Sequence, residues 1–281
     1  MNGILVVDKP QGFTSRDVVN KVSKVLGTKK IGHTGTLDPL ATGILVLTVG
    51  KCTKLTEMLT STYKEYHVEF VLGFETDTLD ITGTKVKESD KKVAENEIRE
   101  NILGFIGSYD QEVPKYSAVK VEGRRLYDYA RNAVEVSLPK RLVEIKKIEN
   151  VCFDENKISF DALVSKGTYM RSLIRDIGEK LGTYATMTSL VRTKQGKFDI
   201  TSSVTLEEIM RGNYVLISPE EIFKDAYSIE LKGDAKLLKK VSNGVSLNYN
   251  IDESYICFKH NEKILCIYKK VDDKFRMYVM F

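Results

Sequence analysis

The 281-residue chain has few of the residues from which metal sites and disulfide frameworks are built. It contains only three histidines, and its four cysteines, Cys52, Cys152, Cys257 and Cys266, form no CxxC pair. Zinc sites take their ligands from closely spaced Cys and His residues, so the sequence predicts no metal site. We expect the cysteines to be packed thiols of a reducing compartment.

Long apolar runs are also missing. Ile44–Val49 is typical of the apolar segments, whereas a transmembrane helix needs about 20 such residues. The first residues of the chain hold an apolar run that is too short for a signal peptide, and no basic segment precedes it. The sequence therefore predicts a cytoplasmic protein that does not associate with membranes.

Positive charge is concentrated in two segments, although the net charge of the chain is only +4. Val113–Lys147 contains nine Lys or Arg against four Asp or Glu, and Ser165–Lys197 contains seven against two. Two basic segments in a nearly neutral protein indicate an anionic partner such as nucleic acid. Solvated surface charge explains the composition equally well.

Strand-like and helix-like patterns are mixed along the chain without a regular βαβ repeat, which favours an α+β fold with a largely antiparallel sheet. Two segments alternate with the period of a strand, Tyr66–Leu72 and Ile158–Val164. Helical spacing predicts four helices. These are a helix capped by Ser15 and ended by Gly27, Val93–Leu103, Leu126–Arg131, and a helix capped by Thr168 that extends to Leu181.

The pattern changes near Ser228, where we place a domain boundary. The remaining residues, 228–281, predict a short helix, an Asn243-Gly244 turn and three apolar strands, which together make a small β-rich domain.

The most informative stretch is the loop Gly32–Gly43, which carries one carboxylate, Asp38. Pro39 disfavours helical backbone at the residue before it, so Asp38 lies in a turn or in extended chain. Gly35 and Gly43 allow the backbone to approach a ligand closely. A loop between a helix and a core strand can present a carboxylate at a cleft. A purely structural turn is the alternative, and the residues alone leave both interpretations open.

Three collinear motifs resemble those of the TruB family, whose members convert uridine to pseudouridine at position 55 in the T loop of tRNA. They are Asp8–Ser15, Gly32–Gly43 and Ser165–Leu173, and Pro114–Arg131 also matches. The resemblance covers about three quarters of the chain. It implies a pseudouridine-synthase fold, with a largely antiparallel mixed sheet flanked by helices in residues 1–227 and a PUA-like RNA-binding domain in residues 228–281. It also implies an isomerase that needs no cofactor.

The resemblance assigns catalytic roles to Asp38, Arg171 and Tyr66. Asp38 would be the reactive carboxylate, and Arg171 would pair with it, because arginine stays charged when buried and binds carboxylates well. Tyr66 would stack on the extruded uracil. Without the resemblance, Arg171 would be interpreted as a phosphate contact or surface pair, and Tyr66 as an ordinary inward-facing strand residue.

Five further residues are expected to bind the RNA substrate, namely Lys9, His33, Arg131, Tyr169 and Leu190. For Leu190, a place in the core is a strong alternative. In the family, the segment corresponding to Val113–Lys147 is an insertion that clasps the T loop, and we expect it to be partly mobile without RNA. The C-terminal domain is expected to contact the acceptor stem of the tRNA, and the protein is expected to be a monomer.

Other functions were weighed against this one. Asp77 and Asp80 resemble the paired acids of a hydrolase, but we interpret them as structural loop residues. An RNA-binding or RNA-folding protein without catalysis is a second alternative, and a guide-RNA-dependent pseudouridine synthase is a third. The resemblance leaves open a second role in tRNA folding and the covalent course of the reaction.

Overall fold

The structure is a computed structural model, and it describes residues 1–132 and 134–281. Its strands are β1 (Gly3–Lys9), β2 (Ile31–His33), β3 (Thr42–Val49), β4 (Lys64–Leu72), β5 (Phe74–Thr76), β6 (Lys85–Glu88), β7 (Gly107–Glu112), β8 (Lys120–Val121), β9 (Arg124–Arg125), β10 (Lys140–Asp154), β11 (Lys157–Val164), β12 (Ala185–Gln195), β13 (Phe198–Asp199), β14 (Val204–Thr205), β15 (Ser228–Glu230), β16 (Tyr255–His260), β17 (Lys263–Val271) and β18 (Lys274–Met280).

The helices lie mainly on the faces of these strands. They are α1 (Ser15–Leu26), α2 (Thr56–Thr60), α3 (Glu95–Leu103), α4 (Leu126–Arg131), α5 (Met170–Leu181), α6 (Leu206–Met210), α7 (Pro219–Ile222) and α8 (Ala235–Ser242), with two 3-10 helices at Gly50–Leu55 and Ile200–Ser202. Within the described ranges, no helix has both the length and the apolar character needed to cross a membrane.

Most of the strands form one large mixed sheet. Its order is β14-β1-β3-β12-β4-β11-β10-β7, with β2 beside β3 and β13 beside β12. The pairs β1–β14 and β3–β12 are parallel, and the other pairs of this sheet are antiparallel. The predicted α+β class with a largely antiparallel sheet is therefore confirmed.

The neighbouring strands β1 and β3 are buried on both faces, which explains their nearly continuous apolar sequences. On β1, Leu5 and Val7 face a core shared with α1 and α6, and Ile4 and Val6 face a second core. Farther along the sheet, β4 and β11 alternate, so that one face packs under α3 and α5 and the other is partly exposed.

The C-terminal residues form a separate four-stranded sheet of order β15-β16-β17-β18, which begins at Ser228. Part of it has a core of its own with α8. Its other apolar residues, including Cys257 and Ile267, pack with Ile4 and Val6 of the large sheet. The predicted small β-rich region is present, and its independence as a domain stays a prediction.

Two predicted helix caps are wrong. Helix α1 is capped by Thr14, whose hydroxyl accepts from the Asp17 amide while the Asp17 carboxylate accepts from the Thr14 amide. This reciprocal capping box leaves Ser15 as the first helical residue. Helix α5 is preceded by Tyr169, and the Thr168 hydroxyl instead donates to the Ser165 carbonyl at 3.0 Å. In both cases the neighbouring residue has the extended backbone that an N-cap requires.

Candidate active site

Asp38 lies in the loop that joins β2 to β3, and the start of α1 holds this loop in place. The Ser15 hydroxyl accepts from the Leu37 amide at 2.8 Å and donates to the Leu37 carbonyl at 3.1 Å. The Gly12 amide donates to the Pro39 carbonyl at 2.8 Å. The backbone on each side of Asp38 is therefore fixed, while its side chain keeps 36% of its surface exposed.

Arg171 forms an ion pair with Asp38, as the resemblance implied. The Nη2 atom of Arg171, in the first turn of α5, lies 2.8 Å from Asp38 Oδ2. The guanidinium also donates to the carbonyls of Thr78, at 2.9 Å, and Tyr116, at 3.0 Å. Its side chain is only 5% exposed. The pair thus has a rigid, buried cation at one end and a solvent-accessible carboxylate at the other.

The Thr78 carbonyl belongs to a loop that the carboxylates of Asp77 and Asp80 stabilise. Asp80 accepts from the Thr78 hydroxyl and from both the amide and hydroxyl of Thr82. Asp77 accepts from the Thr84 amide. These local hydrogen bonds agree with the structural role expected for the two residues, and they place the loop so that it can support Arg171.

Tyr66 and Leu190 belong to the apolar cluster that also contains Leu37 and Leu40, which flank Asp38 and Pro39 in the loop. Tyr66 is 8% exposed and Leu190 is 7% exposed. They occupy neighbouring strands, β4 and β12, on the face covered by α5. The structure therefore brings Tyr66, Leu190 and the Asp38 loop together around one apolar wall.

Tyr169 precedes α5 and is held by Gln111. Its amide donates to Gln111 Oε1 at 2.8 Å, and its carbonyl accepts from Gln111 Nε2 at 3.2 Å. Burial raises the pKa of the Tyr169 phenol above its usual value. Tyr169 thus stays a neutral aromatic residue, two positions before Arg171.

His33 ends β2, at the entrance to the Asp38 loop. Its Nδ1 atom is buried and has no hydrogen-bond partner within the described part of the chain. Burial, followed by the positive charges of Arg192 and Arg16, lowers the pKa of His33. A neutral imidazole next to the loop can donate or accept a hydrogen bond, depending on its tautomer.

Lys9 lies inside the protein and is 0% exposed, which argues against the direct RNA contact expected from its motif. Its ammonium donates to the carbonyls of Phe13 at 2.7 Å, Pro10 at 2.9 Å and Pro39 at 3.4 Å. Burial lowers the pKa of Lys9 to about 8, a shift that the nearby Asp38 opposes. Lys9 therefore supports the Asp38 loop from the protein interior, through its hydrogen bond to Pro39.

Arg131 is exposed at the end of α4, in the basic segment Val113–Lys147. Its guanidinium lies 5.4 Å from the ring centroid of Tyr127, and Arg125 approaches the same ring at 5.6 Å. The segment contains the β8–β9 hairpin and α4, and one of its residues, Ala133, lies outside the described residues. Arg131 thus lies on the protein surface, where a binding partner can reach it.

Two residues that contact the Asp38 loop were missed by the sequence analysis. Arg192 donates to the carbonyls of Gly35 and Ile44, and Gln195 Nε2 donates to the Thr34 hydroxyl at 2.6 Å. Both lie on β12 and are 1% exposed. A signal was present, because Arg192 follows Leu190 at the period of an inward-facing strand position, where a charged residue is unusual.

Solved structures resemble this fold closely. A chain of the "Crystal Structure of a Cbf5-Nop10-Gar1 Complex" superposes with a TM-score of 0.69 and 24% identity, covering 96% of this chain and 78% of that chain. A chain of the "Structure of H/ACA RNP bound to a substrate RNA containing 2'-deoxyuridine" gives a TM-score of 0.69 and 22% identity, covering 99% and 83%. At these identities the likeness establishes the fold alone.

Sequence comparisons are more specific. The profile "TruB family pseudouridylate synthase (N terminal domain)" matches residues 23–170, and "tRNA pseudouridylate synthase B C-terminal domain" matches residues 171–227. The tRNA pseudouridine synthase B of Fusobacterium nucleatum subsp. nucleatum is 43% identical over 258 residues, 90% of each chain. That of Lactobacillus acidophilus is 40% identical over 293 residues, covering 100% of this chain and 98% of its own.

The fold, together with the matched profiles, defines a pseudouridine synthase. Because one profile spans more than half of the chain and relatives about 40% identical extend over nearly all of it, the chain belongs to the TruB family of pseudouridylate synthases. The family expected from the sequence motifs is thereby confirmed.

Proposed function

We propose that the protein isomerises uridine to pseudouridine in tRNA, at position 55 in the T loop, with Asp38 as the catalytic carboxylate. The observation that carries this proposal is the ion pair between Asp38 and the buried Arg171, set against the apolar wall of Tyr66 and Leu190. Relatives named tRNA pseudouridine synthase B support the choice of tRNA as substrate. A tRNA substrate agrees with the cytoplasmic location predicted from the sequence.

The reaction breaks the bond between N1 of uracil and C1′ of the ribose, and forms a bond between C5 and C1′. The proton that C5 loses is balanced by the proton that N1 gains, so no electrons are exchanged with a second reactant. The protein's task is to hold the detached base and to stabilise charge. The Asp38 carboxylate suits this task, and the guanidinium of Arg171 holds it in a fixed orientation.

Tyr66 offers an aromatic face to the uracil once the base has left its stack, and its position in the apolar cluster supports this role. Extruding the base costs a few kcal/mol, which contacts to the RNA must offset. We propose that His33, Tyr169 and Leu190 contribute around the extruded nucleotide. Arg131 and its basic neighbours would contact the phosphate backbone.

The first experiment measures tritium release from an unmodified tRNA transcript labelled at C5 of uridine, with the wild-type protein and with Asp38→Asn. We expect release by the wild type and none by the variant, with RNA affinity retained. Tritium release by both proteins would show that Asp38 is not the catalytic carboxylate. Tight binding without release by either would favour an RNA-folding role. A second transcript in which uridine 55 is replaced by cytidine tests the position, and it should release no tritium.

The segment Val113–Lys147 is proposed to clasp the T loop. A cavity of about 920 Å3 is lined by residues of this segment, including Tyr116 and Leu126, and by Glu75 and Asp77. The part of the segment that precedes β10 borders this open space and can adjust to a ligand. Hydrogen exchange in this segment should slow when a T-arm hairpin is added, and equal protection in both states would contradict the clasp.

The C-terminal sheet is proposed to contact the acceptor stem. Three lysines on α8, Lys236, Lys239 and Lys240, are exposed and could bind phosphates. Because this sheet shares a core with the large sheet, charge removal is a better test than deletion. Replacing the three lysines by glutamine should weaken binding of full-length tRNA and spare an isolated T-arm hairpin. Equal effects on both RNAs would contradict the assignment.

A further inference from the structure

Arg192 is a charged residue in the interior of the large sheet, and it is only 1% exposed. Its Nε atom donates to the Ile44 carbonyl at 2.7 Å, and its Nη2 atom donates to the Gly35 carbonyl at 3.2 Å. These carbonyls lie on the two sides of Asp38 in the chain. One planar guanidinium therefore joins both ends of the loop that carries the proposed catalytic carboxylate.

Two glycines of the loop are explained by this contact. The parallel pairing of β3 with β12 sets Gly43 opposite Arg192, and a Cβ on Gly43 would overlap the Arg192 carbonyl oxygen. A Cβ on Gly35 would lie 3.3 Å from Nη1 of Arg192, closer than an ordinary contact. The loop backbone thus approaches the main chain of Arg192 at Gly43, where a Cβ has no room, and its guanidinium at Gly35, where a Cβ would push the guanidinium aside.

The charge of Arg192 is also unusual. Within residues 1–132 and 134–281, no carboxylate forms a salt bridge with it, whereas the buried Arg175 pairs with two. Burial lowers the pKa of two neighbouring lysines, Lys9 and Lys64, each to about 8, and the positive charge of Arg192 adds to both shifts. Arginine keeps its proton where lysine does not. Arg192 therefore keeps its charge and its N–H donors in an environment where burial disfavours positive charge.

Burying an unpaired cation costs free energy, so a structural link alone would be better made by a neutral amide. Gln195, the last residue of the same strand, makes such a link with Thr34 through a neutral side chain. Unlike the Gln195 amide, the planar Arg192 guanidinium donates to the carbonyls of Gly35 and Ile44 at the same time. That geometry fixes the distance between the two ends of the loop. It therefore also fixes the position of the Asp38 carboxylate relative to the Arg171 guanidinium.

We infer that Arg192 is a positioning residue for the isomerisation. It fixes Gly35 and Ile44, and through them it holds Asp38 in line with Arg171. It does not touch the RNA, because it is buried beneath the loop. The inference rests on the proposed role of Asp38.

The test compares Arg192→Lys and Arg192→Gln with the wild type by single-turnover tritium release and by RNA binding. Lysine keeps a charge but lacks the planar fork, and glutamine keeps one donor without charge. We expect the rate at saturating RNA to fall by about 10-fold for lysine and about 100-fold for glutamine, since small misplacements of a reacting group have costs of this size. The dissociation constant of the RNA should change by less than about 3-fold.

A matched control is Arg99→Gln, which removes another guanidinium that donates to a backbone carbonyl, that of Val151, on a distant strand. It should leave the rate unchanged. Thermal unfolding identifies the folded variants, and Arg192→Lys decides the matter if Arg192→Gln does not fold. A folded lysine variant with the wild-type rate would overturn the inference, as would a loss confined to RNA affinity.

A double-mutant cycle tests the contact itself. Gly35→Ala should slow the wild-type reaction by pushing the guanidinium away from its carbonyl, and should cost much less in the Arg192→Gln background. If Gly35→Ala slowed the reaction equally in both backgrounds, the contact between Arg192 and Gly35 would not be what positions the loop. Failure of the proposed function is distinguishable, because it would show first as missing release by the wild type or as retained release by Asp38→Asn.

Discussion

Substituting Arg171 by lysine separates the charge of the Asp38 partner from its geometry. The guanidinium serves three acceptors at once, the Asp38 carboxylate at 2.8 Å and the carbonyls of Thr78 and Tyr116 at 2.9 and 3.0 Å. An ammonium at the end of a flexible chain can reach the carboxylate but cannot span all three. The variant keeps a positive charge near Asp38 while losing the carbonyl contacts that orient it.

The size of the effect follows from the lost contacts. A hydrogen bond from a charged donor contributes about 1.5–3 kcal/mol, so losing two destabilises the arrangement by roughly 3 kcal/mol or more. If about 3 kcal/mol of this is lost from the transition state, the rate falls by about 100-fold. We therefore expect Arg171→Lys to lower the single-turnover rate of tritium release about 100-fold, and Arg171→Gln to lower it further.

The assay uses saturating tRNA, so that affinity does not enter the rate. Arg175→Lys is the control, because Arg175 lies one turn later on α5 and pairs with Glu112 and Asp176 instead. It should lose stability without a comparable loss of rate. A folded Arg171→Lys variant that turns over as fast as the wild type would refute the reasoning, since the geometry of the pair would then be unnecessary.

Three further predictions concern the support of the Asp38 loop. Ser15→Ala removes both hydrogen bonds to Leu37 and should slow turnover about 10-fold, a smaller change than full misplacement gives; Ser23→Ala, at the other end of α1, should leave the rate unchanged. Gly43→Ala places a Cβ against the backbone of β12 at a φ of +88° and should lower the free energy of unfolding by about 2 kcal/mol or more, measured by urea unfolding; an unchanged midpoint would contradict the close approach. The pKa of Lys9 is lowered from 10.5 to about 8, so between these values the unfolded chain holds a proton that the folded protein has released, and stability rises with pH. From pH 7.5 to 9.5 this contribution, on the order of 1–2 kcal/mol, should be present in the wild type and absent in Lys9→Met, and parallel profiles would refute it.

Local patterns were a good guide to individual elements. Tyr66, Val68 and Phe70 alternate in the sequence and face one side of β4 in the structure, because side chains on a strand point to opposite faces in turn. The helix Leu126–Arg131 also has the predicted bounds. The cap residues of α1 and α5 were wrong by one position. At α1 the adjacent Thr14 and Ser15 compete for the cap, and at α5 the cap position falls on Tyr169, whose side chain makes no capping hydrogen bond, so only the backbone conformation identifies the cap.

The Asp38 loop was recognised because its glycines, proline and carboxylate are contiguous. Arg171 was found only through a family motif, since nothing in its local sequence distinguishes an active-site arginine from a surface one. Lys9 illustrates the opposite error. Lys9 was expected to bind the RNA, yet its ammonium is buried and donates to the carbonyls of Pro10 and Phe13, before α1, and of Pro39 in the Asp38 loop.

The sequence by itself determined the family, the fold class and the identity of the loop that carries Asp38, because these depend on contiguous motifs and on the periodicity of apolar residues. Only the tertiary structure decided what holds that loop. Arg192 is 148 residues from Ile44 along the chain, and it reaches that carbonyl because β12 lies beside β3 in the sheet. Strand order is set by the packing of the whole domain, and no local pattern of residues encodes it.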